Sequence, residues 1–207
     1  RNSFPLIPGQ KPSVHSCVGK SRYWSQLHGT MKTTFIYGLG MAIAGTLLNF
    51  MFYFLGFHET IEKLGTAQTI GIIGGIIITV GGLILAIKAR RSETPTAEAF
   101  GYGRALGSGV LTALWASLFG TISNVVYMSV INPGMQDMII QGEIAKLEAK
   151  GLSAEQIDQA EGMIKMMTSP AASGIMGFLG AFIISVIICL ILAAILKRPA
   201  TEDFAEA

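Results

Sequence analysis

The chain has 207 residues, of which 51% are hydrophobic and only 14% charged, with a mean hydropathy of +0.54. That balance excludes an ordinary soluble domain, in which about a quarter of residues carry charge. The net charge of +2 says nothing about partners, but its distribution is useful: the charged residues are confined to short segments between long uncharged runs, and the basic ones read as a topology signal rather than a nucleic-acid patch.

Residues 1–30 contain Pro5, Pro8 and Pro12, with basic residues at Arg1, Lys11, Lys20 and Arg22 and no acid. They lack the continuous apolar core of a secretory signal. They are expected to be a disordered basic tail that is not native to the domain, with Met31 as the native start. The alternative is a basic cytoplasmic tail that touches anionic lipid.

No Asp, Glu, Lys or Arg occurs in 33–58, 64–87, 105–136 or 166–196. About 20 apolar residues cross roughly 30 Å of hydrocarbon as a helix. Four spans are therefore expected, at about 34–57, 66–87, 105–131 and 171–196, within a membrane domain of residues 31–198. An acidic cytoplasmic tail, 199–207, follows. Lys32, Lys88, Arg90, Arg91, Arg104, Lys197 and Arg198 fall on one side of these spans, and most carboxylates on the other. Basic loops stay in the cytoplasm, so both termini are expected inside.

The first span ends in the aromatic cluster Phe50, Phe52, Tyr53, Phe54 and Phe57, placed as an interfacial belt. The second carries Gly71, Gly75, Thr79, Gly82 and Ala86 in line. The fourth repeats the device with Ser173, Gly177, Ala181, Ser185, Cys189 and Ala193. Small residues at this spacing let helix backbones approach closely, so both seams are expected to serve helix packing. The stretch FGYGRALGSG, 100–109, has the glycines of a phosphate loop but no preceding strand and no Lys-Ser/Thr. It marks the entry of the third span instead.

Residues 132–170 are the one sizeable piece outside the spans. Asn132 is placed to cap a helix opening at Pro133, with Gly151 as a left-handed stop. Ser153 and Gln156 form a capping box for a second helix. Apolar positions recur helically at Ile140, Ile144 and Leu147, then at Ile157, Ala160, Ile164 and Met167. The expected fold is thus an all-α integral membrane four-helix bundle with an extracytoplasmic amphipathic helical hairpin between spans three and four.

The stretches YGLGMAIAG, AEAFGYGRALGSGVLTAL and VYMSVINPGMQDMI resemble the bacterial membrane proteins grouped as domain of unknown function 4199, over Met31 to about Arg198. The resemblance implies a four-span bacterial inner-membrane protein and supplies no catalytic residues.

Buried polar groups are the first candidates for function. Asn49 shares a face with Thr46 and Tyr53 of the first span, and Ser117, Thr121 and Asn124 share a face of the third. They form either a polar path for a solute or helix-to-helix hydrogen bonds. No charged residue falls within a span, which argues against ion-coupled transport. Met135, Met138, Met163, Met166 and Met167 gather in the insert. Thioethers suit Cu(I), but without His or Cys beside them an adaptable apolar surface is the expected role. Met135, Met138, Met163 and Met167 are therefore the candidate partner surface. His58 is expected at the outer interface beside Glu59. No nucleophile–base pair, calcium loop or zinc spacing occurs.

The expectation is a non-enzymatic assembly, regulatory or envelope-interaction protein without cofactor, in contact with membrane lipid. Through the hairpin it would meet a protein partner or a second copy, and it would bind no nucleic acid. The alternative is a small oligomeric uncoupled transporter or channel.

Overall fold

The computed structural model of the protein describes residues 14–199, with side chains from Gly29 onward. The described residues form α1 (Val14–Phe54), α2 (Ile61–Glu93), α3 (Tyr102–Val126), α4 (Met135–Ala149), α5 (Ala154–Met167) and α6 (Pro170–Leu196). A π-helical turn, Tyr127–Ile131, extends α3. Helices α1, α2, α3 and α6 are each long and apolar enough to cross a membrane. With their lipid-compatible surfaces, rich in exposed Ile72, Ile73, Ile76, Ile77, Ile183 and Ile187, they make this an all-α membrane protein.

The helix boundaries depart from expectation in three places. Helix α1 begins at Val14, inside the segment expected to be disordered. Beyond Pro12 nothing prevents the first span's helix from propagating backward, since propagation costs little once a helix is nucleated. Residues 1–13 and 200–207, including most of the expected acidic tail, lie outside the described residues. Helix α2 starts at Ile61, five residues before the expected span, because the Thr60 side chain accepts from the Lys63 N–H and caps it. Its 33 residues make it about 50 Å long, so its ends stand clear of the hydrocarbon.

The third departure is at Asn132, which does not cap α4. That helix opens at Met135 with Gly134 as its N-cap and no side-chain cap. Asn132 instead closes the π turn: its N–H donates to the Tyr127 carbonyl at 2.8 Å. Downstream, the expected signals hold. Gly151 sits at φ 77°, and its N–H and that of Leu152 reach back to Glu148 and Leu147 as in a Schellman stop. The Ser153–Gln156 capping box is complete. Helices α4 and α5 pair in opposite directions: Gln136 on the first turn of α4 donates to the Lys165 carbonyl on the last turn of α5 at 3.2 Å.

In the bundle, α3 packs along both α1 and α6, and α2 bridges α1 and α6 with a markedly sparser contact to α6. The end remote from α4–α5 is dense. Leu83, Ile87, Phe100, Ala105, Ala113, Cys189, Leu192, Ala193 and Leu196 form one buried cluster there, together with Met41. Glycines make its close approaches. A Cβ on Gly38 would lie 2.5 Å from the Trp115 Cβ and 2.9 Å from the Thr112 carbonyl oxygen, and one on Gly109 would lie 2.8 Å from the Cys189 sulfur. With no hydrophobic drive between helices in lipid, such van der Waals contact is what holds spans together.

Polar ties finish this end. Arg90 donates to Thr30 at 2.6 Å and pairs with Glu93. Arg198 donates to the Thr94 and Pro95 carbonyls at 3.0 and 3.1 Å, and its N–H to the Phe100 carbonyl at 2.8 Å.

Candidate functional site

Toward the α4–α5 end the bundle is hollow. A chamber of about 420 Å³ lies among the four spans, lined by residues 41–50 of α1, 75–79 of α2, 116–127 of α3 and its π turn, and 173–185 of α6. Asn49, Ser117, Thr121 and Asn124, predicted from two separate spans, all line it. Their spacing explains the convergence. On α3, positions 117, 121 and 124 fall on one helical face, which turns inward opposite the Asn49 face of α1.

The lining is wholly uncharged: no Asp, Glu, Lys, Arg or His contributes. Some of its polar groups are used by their own helices. Thr46 donates to the Ala42 carbonyl at 2.8 Å, and Ser185 to that of Ala181 at 2.7 Å, the usual back-bond of a hydroxyl in a helix. Asn124 has only a weak contact, its Nδ2 3.8 Å from the Met128 sulfur. The side chains of Asn49, Ser117 and Thr121 make no hydrogen bond among the described residues, although Ser117 is only 7% exposed. The helix-to-helix hydrogen bonds weighed from sequence do not form at these positions. Their donors and acceptors face the chamber.

Glycine keeps it open. Gly45, Gly75, Gly120 and Gly177, one from each span, line the chamber, and a Cβ at any of them would meet nothing within 4 Å. This corrects the packing role expected for the α2 and α6 seams. Gly82 does meet Met41 closely, and Ala86, Cys189 and Ala193 are buried. Gly75 and Gly177, on the same seams, border space. Gly177 and Ala181 are exposed as well as lining. The chamber therefore opens sideways along α6, whose packing against α2 is the sparse one. Its other end is closed by the dense cluster that includes Met41.

The π turn shapes the α4–α5 end of the chamber. The extra residue it takes in re-aims Tyr127 and Met128 inward, and both are buried. Tyr127 lines the chamber and its hydroxyl lies 2.5 Å from His58 Nδ1. The same oxygen accepts from Asn132 Nδ2 at 3.2 Å. Phe50, Tyr53 and His58 surround the Tyr127 ring with centroids 5.8–6.1 Å away. His58, expected at the outer interface beside Glu59, is buried against this cluster. It is 8% exposed, because Gly56 at φ 72° turns the loop back onto the bundle.

Burial holds the His58 imidazole below its ordinary pKa of 6.5. A lowered folded value makes the neutral form the bound one. The stability it lends is complete above about pH 6.5 and is lost as pH falls through the lower folded value. Amide exchange at 56–58, corrected for intrinsic rates, is expected to show weaker protection at about pH 5 than at about pH 7. Protection that is equal at both pH values would show that His58 does not hold the loop.

The methionines divide. Met163 and Met167 are exposed, at 62% and 48%, beside Met166 at 67%. Met135 and Met138 are half-buried, Met135 with its sulfur 3.9 Å from Asn132 Nδ2. The four thus differ in exposure. Ile157, Ala160 and Ile164 are the half-buried stripe of α5, and Met167 lies off it. The sequence signal for the chamber's shape is a glycine in each span with a hydroxyl within about one turn of it, Thr46, Thr79, Thr121 and Ser173.

No curated protein and no solved structure matches the chain. The family model described as Protein of unknown function (DUF4199) matches residues 36–198, all but the start of the first span together with the α4–α5 insert and the other three spans, so the chain belongs to that family.

Proposed function

We propose that this is a non-enzymatic membrane protein that binds a small molecule in the chamber among its spans, as an uncoupled carrier or a sensor. One observation carries the reading. The unpartnered polar side chains of α1 and α3 and a glycine from each of four helices face the same space, and a concave, mostly apolar site with a few convergent polar groups is what small-molecule recognition uses. The closed floor favours binding over open conduction, so the oligomeric-channel alternative is narrowed to a carrier whose site lies within one chain. The absence of charge in the lining fits a protein that couples to no ion.

In this reading the protein resides in a bacterial inner membrane with both termini cytoplasmic. Lys88, Arg90, Arg91, Arg104, Lys197 and Arg198 sit at the dense end, the side that basic residues favour. The chamber and α4–α5 then belong to the extracytoplasmic half. The chamber, rather than the α4–α5 methionines, carries the function, since only two of the four candidate methionines are exposed.

The test is retention. Protein in lipid nanodiscs is washed and extracted, and the extract is compared with that of Asn49→Leu/Asn124→Leu. At least one compound held by the wild type is expected to fall by about tenfold or more in the variant, the value of one or two lost polar contacts. Identical extracts from two folded proteins would end the proposal.

A further inference from the structure

Resting on that reading, we propose that the chamber takes an uncharged single-chain amphiphile from the bilayer, its amide or hydroxyl head against Asn49, Ser117, Thr121 and Asn124 and its tail leaving through the side opening along α6.

Three features of the chamber specify this class. The first is charge. No ionised side chain lines the chamber, so an anion or cation entering it would lose its water and gain no partner. A neutral head loses far less, because the Ser117 hydroxyl and the Asn49 amide, unpartnered among the described residues, stand ready to replace its water. The second is the wall: Met41, Ala42, Phe50, Ile78, Ala116 and Ala181 line it together with five glycines, and Thr46, Ser173 and Ser185 spend their hydroxyls on carbonyls of their own helices, which suits an apolar body better than a sugar or polyol. The third is the way in. Gly177 and Ala181 are exposed within a span, so the mouth meets acyl chains, and a solute from water would have to cross them.

The glycines fit the same occupant. Each removes a side chain at the level where a head group would sit, and Gly177 does so at the mouth itself. A linear chain could pass there without displacing either helix.

The experiment uses the full chain in vesicles and three photoreactive probes. All share one alkyl tail with a mid-chain diazirine, and they end in a carboxamide, a carboxylate or a quaternary ammonium. Labelling is mapped by peptide mass spectrometry. The readout is the ratio of label on lining peptides (41–50, 116–127, 173–181) to label on the lipid-facing Ile70–Ile73 stretch, which cancels differences in partitioning. The carboxamide ratio is expected to exceed the other two by about tenfold or more, and Gly120→Leu, which fills the chamber, is expected to abolish the excess. Charged probes that label the lining as strongly as the amide, with Gly120→Leu still blocking them all, would overturn the ligand class and leave the binding site standing. Lining label that Gly120→Leu does not change, or none from the amide, would overturn the site itself.

Discussion

Gly38→Leu is expected to destabilise the folded bundle markedly. Gly38 is buried where α1 crosses α3, and an added Cβ would stand 2.5 Å from the Trp115 Cβ, 2.9 Å from the Thr112 carbonyl oxygen and 3.1 Å from the Ala116 N. Two of these three atoms are backbone, so no side chain can swing aside to relieve the clash. The helices must separate, and with them go the edge-on contacts of Phe35 with Trp115 and Phe119. Overpacking a dense site costs about 1–3 kcal/mol or more, which for a chain of this size lowers the unfolding midpoint by on the order of 10 °C. Thermal unfolding of the purified variant measures it. A midpoint within a degree or two of the wild type would mean that α1 and α3 do not meet at this point.

Gly120→Leu should behave in the opposite way, although it is the same substitution on the partner helix of that crossing. A Cβ at Gly120 meets nothing within 4 Å, so leucine enters open space. It replaces a residue that is unfavourable in a helix interior, by about 1 kcal/mol relative to alanine, and buries apolar surface that now borders the chamber. The unfolding midpoint is expected to hold or rise by a few degrees, while retention of the small molecule falls to background. A protein that gains stability and loses binding on filling would show the chamber to be a functional void rather than a packing defect. If the midpoint drops as it does for Gly38→Leu, the chamber is not open at Gly120.

These two glycines mark the limit of what could be read in advance. The spans were legible because a membrane leaves little choice: uncharged runs of this length have no other stable home, and backbone groups in lipid must pair within a helix. The Schellman stop at Gly151 and the capping box at Ser153 were legible for the same kind of reason, since each is satisfied by neighbours in sequence. Asn132 failed as a cap because the π turn, a feature of long-range fit, put its side chain to use on Tyr127.

The inward faces of α1 and α3 were legible too, as four polar residues at helical spacing. What those residues face was not. Whether Asn49 bonds a neighbouring helix or borders a void depends on how far apart the helices stand, and that is set by contacts as distant as Gly38 on Thr112 and Gly109 on Cys189.

Likewise His58 reads as a loop residue until Gly56 turns it against Tyr127. Gly75 and Gly82 lie on one seam of α2, yet Gly82 closes on Met41 and Gly75 borders empty space. Hydropathy and local hydrogen bonding by themselves determined a four-span helical membrane protein with a helical insert. Only the tertiary structure decided which of its small residues pack against a neighbouring helix and which border a chamber, because glycine looks the same in sequence whether it admits a neighbour or leaves room for a guest.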